Sequence, residues 1–156
     1  MRRNSVVYTM LAGGCIAGAI DITYALVFSG FRGVPATRLL QSVASGLLGS
    51  AAYDGGLPTA VLGLVLHFFI ALLAAAIFYA ASRQFQLLTR HAVMSGLLFG
   101  IAMYAVMNLV VLPLSAFPGK PSFAPLVLAT GLFVHMFGFG LPISLAARKA
   151  SSQASL

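Results

Sequence analysis

The sequence predicts an all-α membrane protein: a bundle of four transmembrane helices, with one interfacial or re-entrant amphipathic helix between spans 1 and 2. Three observations predict it. The 156 residues are 60% hydrophobic and only 7% charged, where a soluble domain carries roughly 25% charged residues. Four apolar stretches, at 6–29, 59–81, 92–112 and 124–147, each reach the length of about 20 residues that a helix needs to cross a hydrocarbon core roughly 30 Å thick. The nine Lys and Arg residues flank these stretches. If the spans alternate, Arg2, Arg3, Arg83, Arg90, Arg148 and Lys149 share one side, and Arg32, Arg38 and Lys120 the other. The heavier side marks the cytoplasm, so both termini are expected there. The whole of 1–156 is then a single membrane domain, with loops too short to hold a soluble catalytic module.

The elements follow in order. Arg2 and Arg3 precede an apolar core, as in a secretory signal, but the run continues to Phe28 and is read as a retained span. Cys15 lies inside it and is the single cysteine, which excludes an internal disulfide. Gly30, Gly33 and Pro35 end the helix. Residues 36–53 form the amphipathic segment: Leu40, Val43, Leu47 and Ala51 recur at helical spacing, with Arg38, Gln41, Ser42, Ser45 and Gly49 elsewhere around the wheel. Residues 53–58 make a turn that holds Asp54, and Pro58 opens the second span. The connection at 83–91 is a short hairpin, so spans 2 and 3 are expected to be antiparallel neighbours. Pro113, Pro118, Pro121 and Pro125 stiffen the loop before the fourth span. Pro142 should kink that span, and 151–156 reads as a disordered polar tail.

Each span carries one strongly polar residue: Asp21, His67, Asn108 and His135. Such groups are costly in lipid and mark functional sites by default. Each also lies on a stripe of small residues, where helices approach closely. Asp21 follows Gly14 and Gly18; His67 follows Gly63; Asn108 continues Gly96, Gly100 and Tyr104; His135 sits between Gly131 and Gly138. All four should therefore face the bundle interior, within about 10 Å of one another in depth at about 1.5 Å rise per residue. Tyr24 and Tyr104 are candidates to line the same region. Spans 2 and 4 share the pattern Gly-Leu-x-x-His-x-Phe around His67 and His135, and spans 1 and 3 share Gly-x-x-x-Gly. That echo suggests two related helical hairpins.

Three uses of the polar cluster compete. Asp21 with His67 and His135 could form a site for a proton, cation or small solute, since histidine titrates near neutral pH. His67 and His135 could instead be axial ligands of a b-type haem, with glycines making room for the ring. A divalent metal on the same three side chains is the weakest option, because no third histidine or usable cysteine joins them; no resident cofactor or metal is expected. A scaffold or accessory subunit without chemistry is the alternative to all three, and a homo-oligomer or larger membrane complex would thicken the wall of any pathway. An enzyme is not expected: no nucleophile elbow, zinc-protease motif, phosphate loop or carboxylate pair is present. Nucleic-acid binding is excluded, because no basic stripe with interleaved aromatics accompanies the net charge of +7.

His67 in span 2, the string Gly96-Leu97-Leu98-Phe99-Gly100 opening span 3, Leu112-Pro113-Leu114 closing it, and His135 ahead of Arg148-Lys149 together form a pattern over roughly 59–149. It resembles the YagU-like group of small bacterial inner-membrane proteins. The resemblance implies a multi-pass protein of the bacterial inner (cytoplasmic) membrane with a link to acid tolerance, which suits a proton-linked role.

Overall fold

The computed structural model describes residues 2–154. Its regular structure is all helical, with no strand among the described residues. Four helices are long and apolar enough to cross a membrane, at Val6–Phe31, Gly56–Gln84, Ala92–Leu114 and Pro125–Ser152. The first long helix begins at Arg2 and ends at Phe31. Its chain reverses through Gly33, whose φ of +77° is a left-handed value that glycine adopts without penalty.

The amphipathic segment divides in two. A helix covers Ala36–Leu48, and a 3₁₀ turn covers Gly49–Tyr53. Gly49, at φ +63°, separates them and donates its N–H to the Ser45 carbonyl. The face this helix buries is small and polar rather than leucine-rich: Gln41, Ala44 and Ser45 are buried, while Leu47 is 64% exposed. The physical reason lies in its partner. Gly63 of the second long helix has no side chain, and a Cβ there would collide with the Leu40 carbonyl oxygen. Small residues let the two backbones meet. Gln41 then donates from Nε2 to the Gly56 carbonyl at 3.0 Å, and Leu47 and Leu48 turn outward. Arg38 stacks over the Tyr53 ring at 3.8 Å. Replacing Gly63 with leucine should undock the Ala36–Leu48 helix. Its amides should exchange with deuterium about tenfold faster or more, whereas those of the inner half of the second long helix should keep their protection.

The first long helix packs against the second and the fourth, and the third packs against the fourth. The backbones of the second and third hardly touch. This differs from the close pairing expected of a short hairpin. The intervening Leu87–Arg90 helix sets their ends apart, and the two are bridged by the Phe78 and Phe99 rings, 4.9 Å between centroids. The core is alanine-rich: Ala17, Ala71, Ala74, Ala75 and Ala147 pack with Phe78, Phe139 and Ile143. Large apolar side chains face outward instead, among them Ile16, Phe69, Leu98 and Phe133. That inversion suits a solvent that is itself apolar, in which close packing rather than water exclusion joins helices.

The fourth long helix continues through Ala154, so residues 151–154 are helical and not a disordered tail; 155–156 lie outside the described residues. Ala147 and Ala150, both fully buried in the core cluster, hold this last stretch in place. The helix widens into a π-helical turn at His135–Gly140, just before Pro142. The third long helix does the same at Met107–Val111, just before Pro113. A proline has no N–H and its ring strikes the carbonyl four residues back, Gly138 and Leu109 in these two cases. Both carbonyls fall inside the π turns, where the wider path relieves the clash.

Candidate functional site

A cavity of about 180 Å³ lies between the long helices, walled by Asp21, His67, Asn108 and His135 together with Val43, Ile70, Ala71, Met103, Met107 and Phe139. All four polar residues read from the sequence meet on it, one from each long helix. Val43 comes from the Ala36–Leu48 helix, which leans over the gap between the second and third long helices. Sequence reasoning gave that helix no part in the site. It also missed the π turns, which supply Met107 and Asn108 on one side and His135 and Phe139 on the other. The signal for them was present in Pro113 and Pro142.

Asp21 and His135 form the centre. Asp21 Oδ1 stands 3.6 Å from His135 Nδ1, with the two side chains 17% and 18% exposed. The separation exceeds a hydrogen bond and makes a Coulombic contact. His135 Nδ1 also lies 3.0 Å from the Gly131 carbonyl oxygen. A carbonyl only accepts, so Nδ1 carries a proton and donates it. His67 Nε2 lies 2.8 Å from the Gly18 carbonyl oxygen, and the same logic puts a proton on that nitrogen. Each histidine therefore has one nitrogen tied to a backbone oxygen, leaving Nε2 of His135 and Nδ1 of His67 to gain or lose a proton. In nitrogen-15 spectra of the histidine-labelled protein at alkaline pH, the two neutral rings should show opposite tautomers, Nδ1–H for His135 and Nε2–H for His67. The same tautomer in both would contradict these assignments.

Asn108 spends an amide hydrogen on the Tyr104 carbonyl of its own helix, at 2.9 Å from Nδ2. Its amide oxygen remains for the cavity. Neither tyrosine lines the wall. Tyr24 donates to Thr130 Oγ1 at 2.6 Å, farther along the fourth long helix. Tyr104 stands behind His135 with its ring edge-on at 5.2 Å, in the space that Gly131 leaves open. Its buried hydroxyl has no hydrogen-bond partner among the described residues. An orphan of this kind costs about 1–3 kcal/mol.

The remaining glycines named from the sequence fall on helix seams. Gly14 and Gly18 face Leu72, Ala75, Phe68 and Ala71 of the second long helix. Gly96 and Gly100 face the fourth, against Ser144 and the His135 carbonyl, and Gly138 faces Ile20 of the first. Both histidines reach the first long helix, at Gly18 and Asp21, and His135 also meets Tyr104 of the third.

Toward the end that carries Arg83, Arg90 and Arg148 lies apolar core packing that includes Phe78, Ile143 and the partly buried Phe99. In the other direction the cavity shares Val43, Ile70 and Met107 with a groove of about 330 Å³ that Ser42, Ser115 and Phe117 help to line. His67 and His135 each hold one ring nitrogen on a backbone oxygen, at Gly18 and Gly131, and leave the other nitrogen free. Asp21, His67 and His135 do not converge on a point; among the described residues no three His, Cys, Asp or Glu side chains are grouped so as to hold a metal ion. Comparison with protein-family models, with curated proteins and with solved structures returns no match to this chain.

Proposed function

We propose that this chain is a multi-pass protein of a bacterial inner membrane, with both termini on the cytoplasmic side, and that its Asp21–His135 pair takes up and releases a proton. The observation that carries this reading is the pair itself, 3.6 Å apart on the wall of a small cavity built from apolar side chains. A lone carboxylate there is expensive, and a proton on the free Nε2 of His135 converts it into an ion pair. The titratable groups that face the pair are His67 from the second long helix and Tyr104 from the third, with Asn108 as a neutral neighbour. None brings a permanent positive charge, so the proton is the counter-ion that the site lacks.

The groove that adjoins the cavity at Val43, Ile70 and Met107, with Ser42 and Ser115 on its wall, supports exchange with the outer face, and the packing of Phe78, Phe99 and Ile143 lies toward the cytoplasmic side. Transfer across the membrane then requires the helices to shift, and the two π turns are the points where their hydrogen-bond ladder is already relaxed. The resemblance to the YagU-like group points the same way. The test is proton flux into vesicles that hold the purified protein and a trapped pH-sensitive dye. Protein-containing vesicles should equalise an imposed pH step faster than protein-free ones. Equal rates would overturn the reading and leave a scaffold without proton chemistry.

A further inference from the structure

A second cavity, of about 460 Å³, lies at the opposite end of the bundle from the groove of Ser42 and Ser115 and shares no residue with the Asp21 site. Three guanidinium groups converge on it from three elements. Arg83 comes from the last turn of the second long helix, Arg90 from the short Leu87–Arg90 helix, and Arg148 from the end of the fourth. Ser82, Gln86 and Thr89 complete much of the wall. The hydroxyls of Ser82 and Thr89 donate to the Tyr79 and Gln86 carbonyls, which leaves the guanidinium groups as the chief donors toward the cavity.

No carboxylate side chain of this chain can balance them. It has two acidic residues. Asp21 is committed to His135 in the interior, and Asp54 sits in the turn that precedes the second long helix, at its far end. Three like charges around one cavity repel one another unless an anion joins them. The fold nonetheless holds their backbones in place. Ser82, beside Arg83, is buried, and Arg148 is followed in the helix by Ala150 and preceded by Ala147, both fully buried. Arginine presents a planar fork that matches phosphate oxygens two at a time. The rim adds a second feature: Phe85 and Leu87 are each 65% exposed on the connection that carries Arg90. Basic pockets between helices at the cytoplasmic surface are where anionic headgroups bind.

From this convergence we infer that the cavity of Arg83, Arg90 and Arg148 binds a phosphate group. Two sources present that chemistry: the headgroup of an anionic phospholipid in the adjoining leaflet, and free phosphate from the aqueous phase. The purified protein in neutral detergent is titrated with fluorescent phosphatidylglycerol, with fluorescent phosphatidylcholine and, separately, with radiolabelled inorganic phosphate. Binding of phosphatidylglycerol about tenfold or more tighter than phosphatidylcholine, undiminished by millimolar inorganic phosphate, supports a lipid headgroup. Saturable retention of inorganic phosphate that also displaces the lipid supports free phosphate. In either case the R83Q/R90Q/R148Q variant should lose the preference, while K149Q, at an exposed lysine beside Arg148, should retain it. If the triple variant does not fold, R83K/R90K/R148K keeps the charges and should show weakened binding through loss of the bidentate forks. Equal binding of the two lipids by the unaltered protein without retention of phosphate, or an undiminished preference in the glutamine variant, would overturn the inference.

Discussion

Replacing Gly140 with valine is expected to prevent the third and fourth long helices from closing, and to remove most of the folded protein from a detergent extract. A Cβ at position 140 would strike the Gly96 carbonyl oxygen and stand 2.6 Å from the Gly100 amide nitrogen. These are backbone atoms of a packed helix, and no rotamer change can move them aside. Gly96 and Gly100 are in the same position from the other side, facing Ser144 and the His135 carbonyl. Ser144, fully buried, donates across this seam to the Ala92 carbonyl at 2.8 Å, so widening it also breaks an interhelical hydrogen bond. Overpacking a core ordinarily costs about 1–3 kcal/mol, and a backbone-to-backbone seam should exceed that range. The check is gel filtration with circular dichroism during titration with a denaturing detergent. A monodisperse variant that unfolds at the same point as the parent would refute this account. Valine at Gly30, where a Cβ meets nothing within 4 Å, is the matched control and should be tolerated.

Gly140 also shows where sequence reading stops. The Gly96/Gly100 stripe was legible from its period of four, and the stripe around His135 was read through Gly131 and Gly138. In the structure Gly138 faces Ile20 of the first long helix, and Gly140 is the residue that meets the third. The π turn at His135–Gly140 changes the angular register, so a stripe extrapolated at the ordinary helical period arrives on the wrong face. Depth was more robust than angle. Asp21, His67, Asn108 and His135 come together on one cavity because rise per residue accumulates little error over a span. Which groups pair within the cluster was not legible. His67 and His135 sit in matching sequence patterns, yet one bonds a backbone oxygen of the first long helix and the other faces its carboxylate. Nor was the buried face of the Ala36–Leu48 helix. Its leucines suggest the inward side by the logic of a soluble protein, whereas an apolar surround reverses that logic and leaves Gln41 and Ser45 inside.

The Asp21→Asn and His135→Ala substitutions should each bring proton flux down to the rate of protein-free vesicles, a fall of about a hundredfold if the pair supplies an acid–base contribution of ordinary size. Asparagine keeps the shape of Asp21 and removes the charge that a proton on His135 would balance. Alanine at 135 removes the nitrogen that carries the proton and leaves the carboxylate without its cation. His67→Ala serves as the comparison. Its Nε2 is tied to Gly18, so its loss removes an interhelical hydrogen bond worth about 0.5–1.5 kcal/mol, while the pair remains intact. Partial flux in His67→Ala with none in Asp21→Asn would place the proton on the Asp21–His135 pair. Full flux in Asp21→Asn would show that the carboxylate takes no part, and that the contact at 3.6 Å serves packing alone.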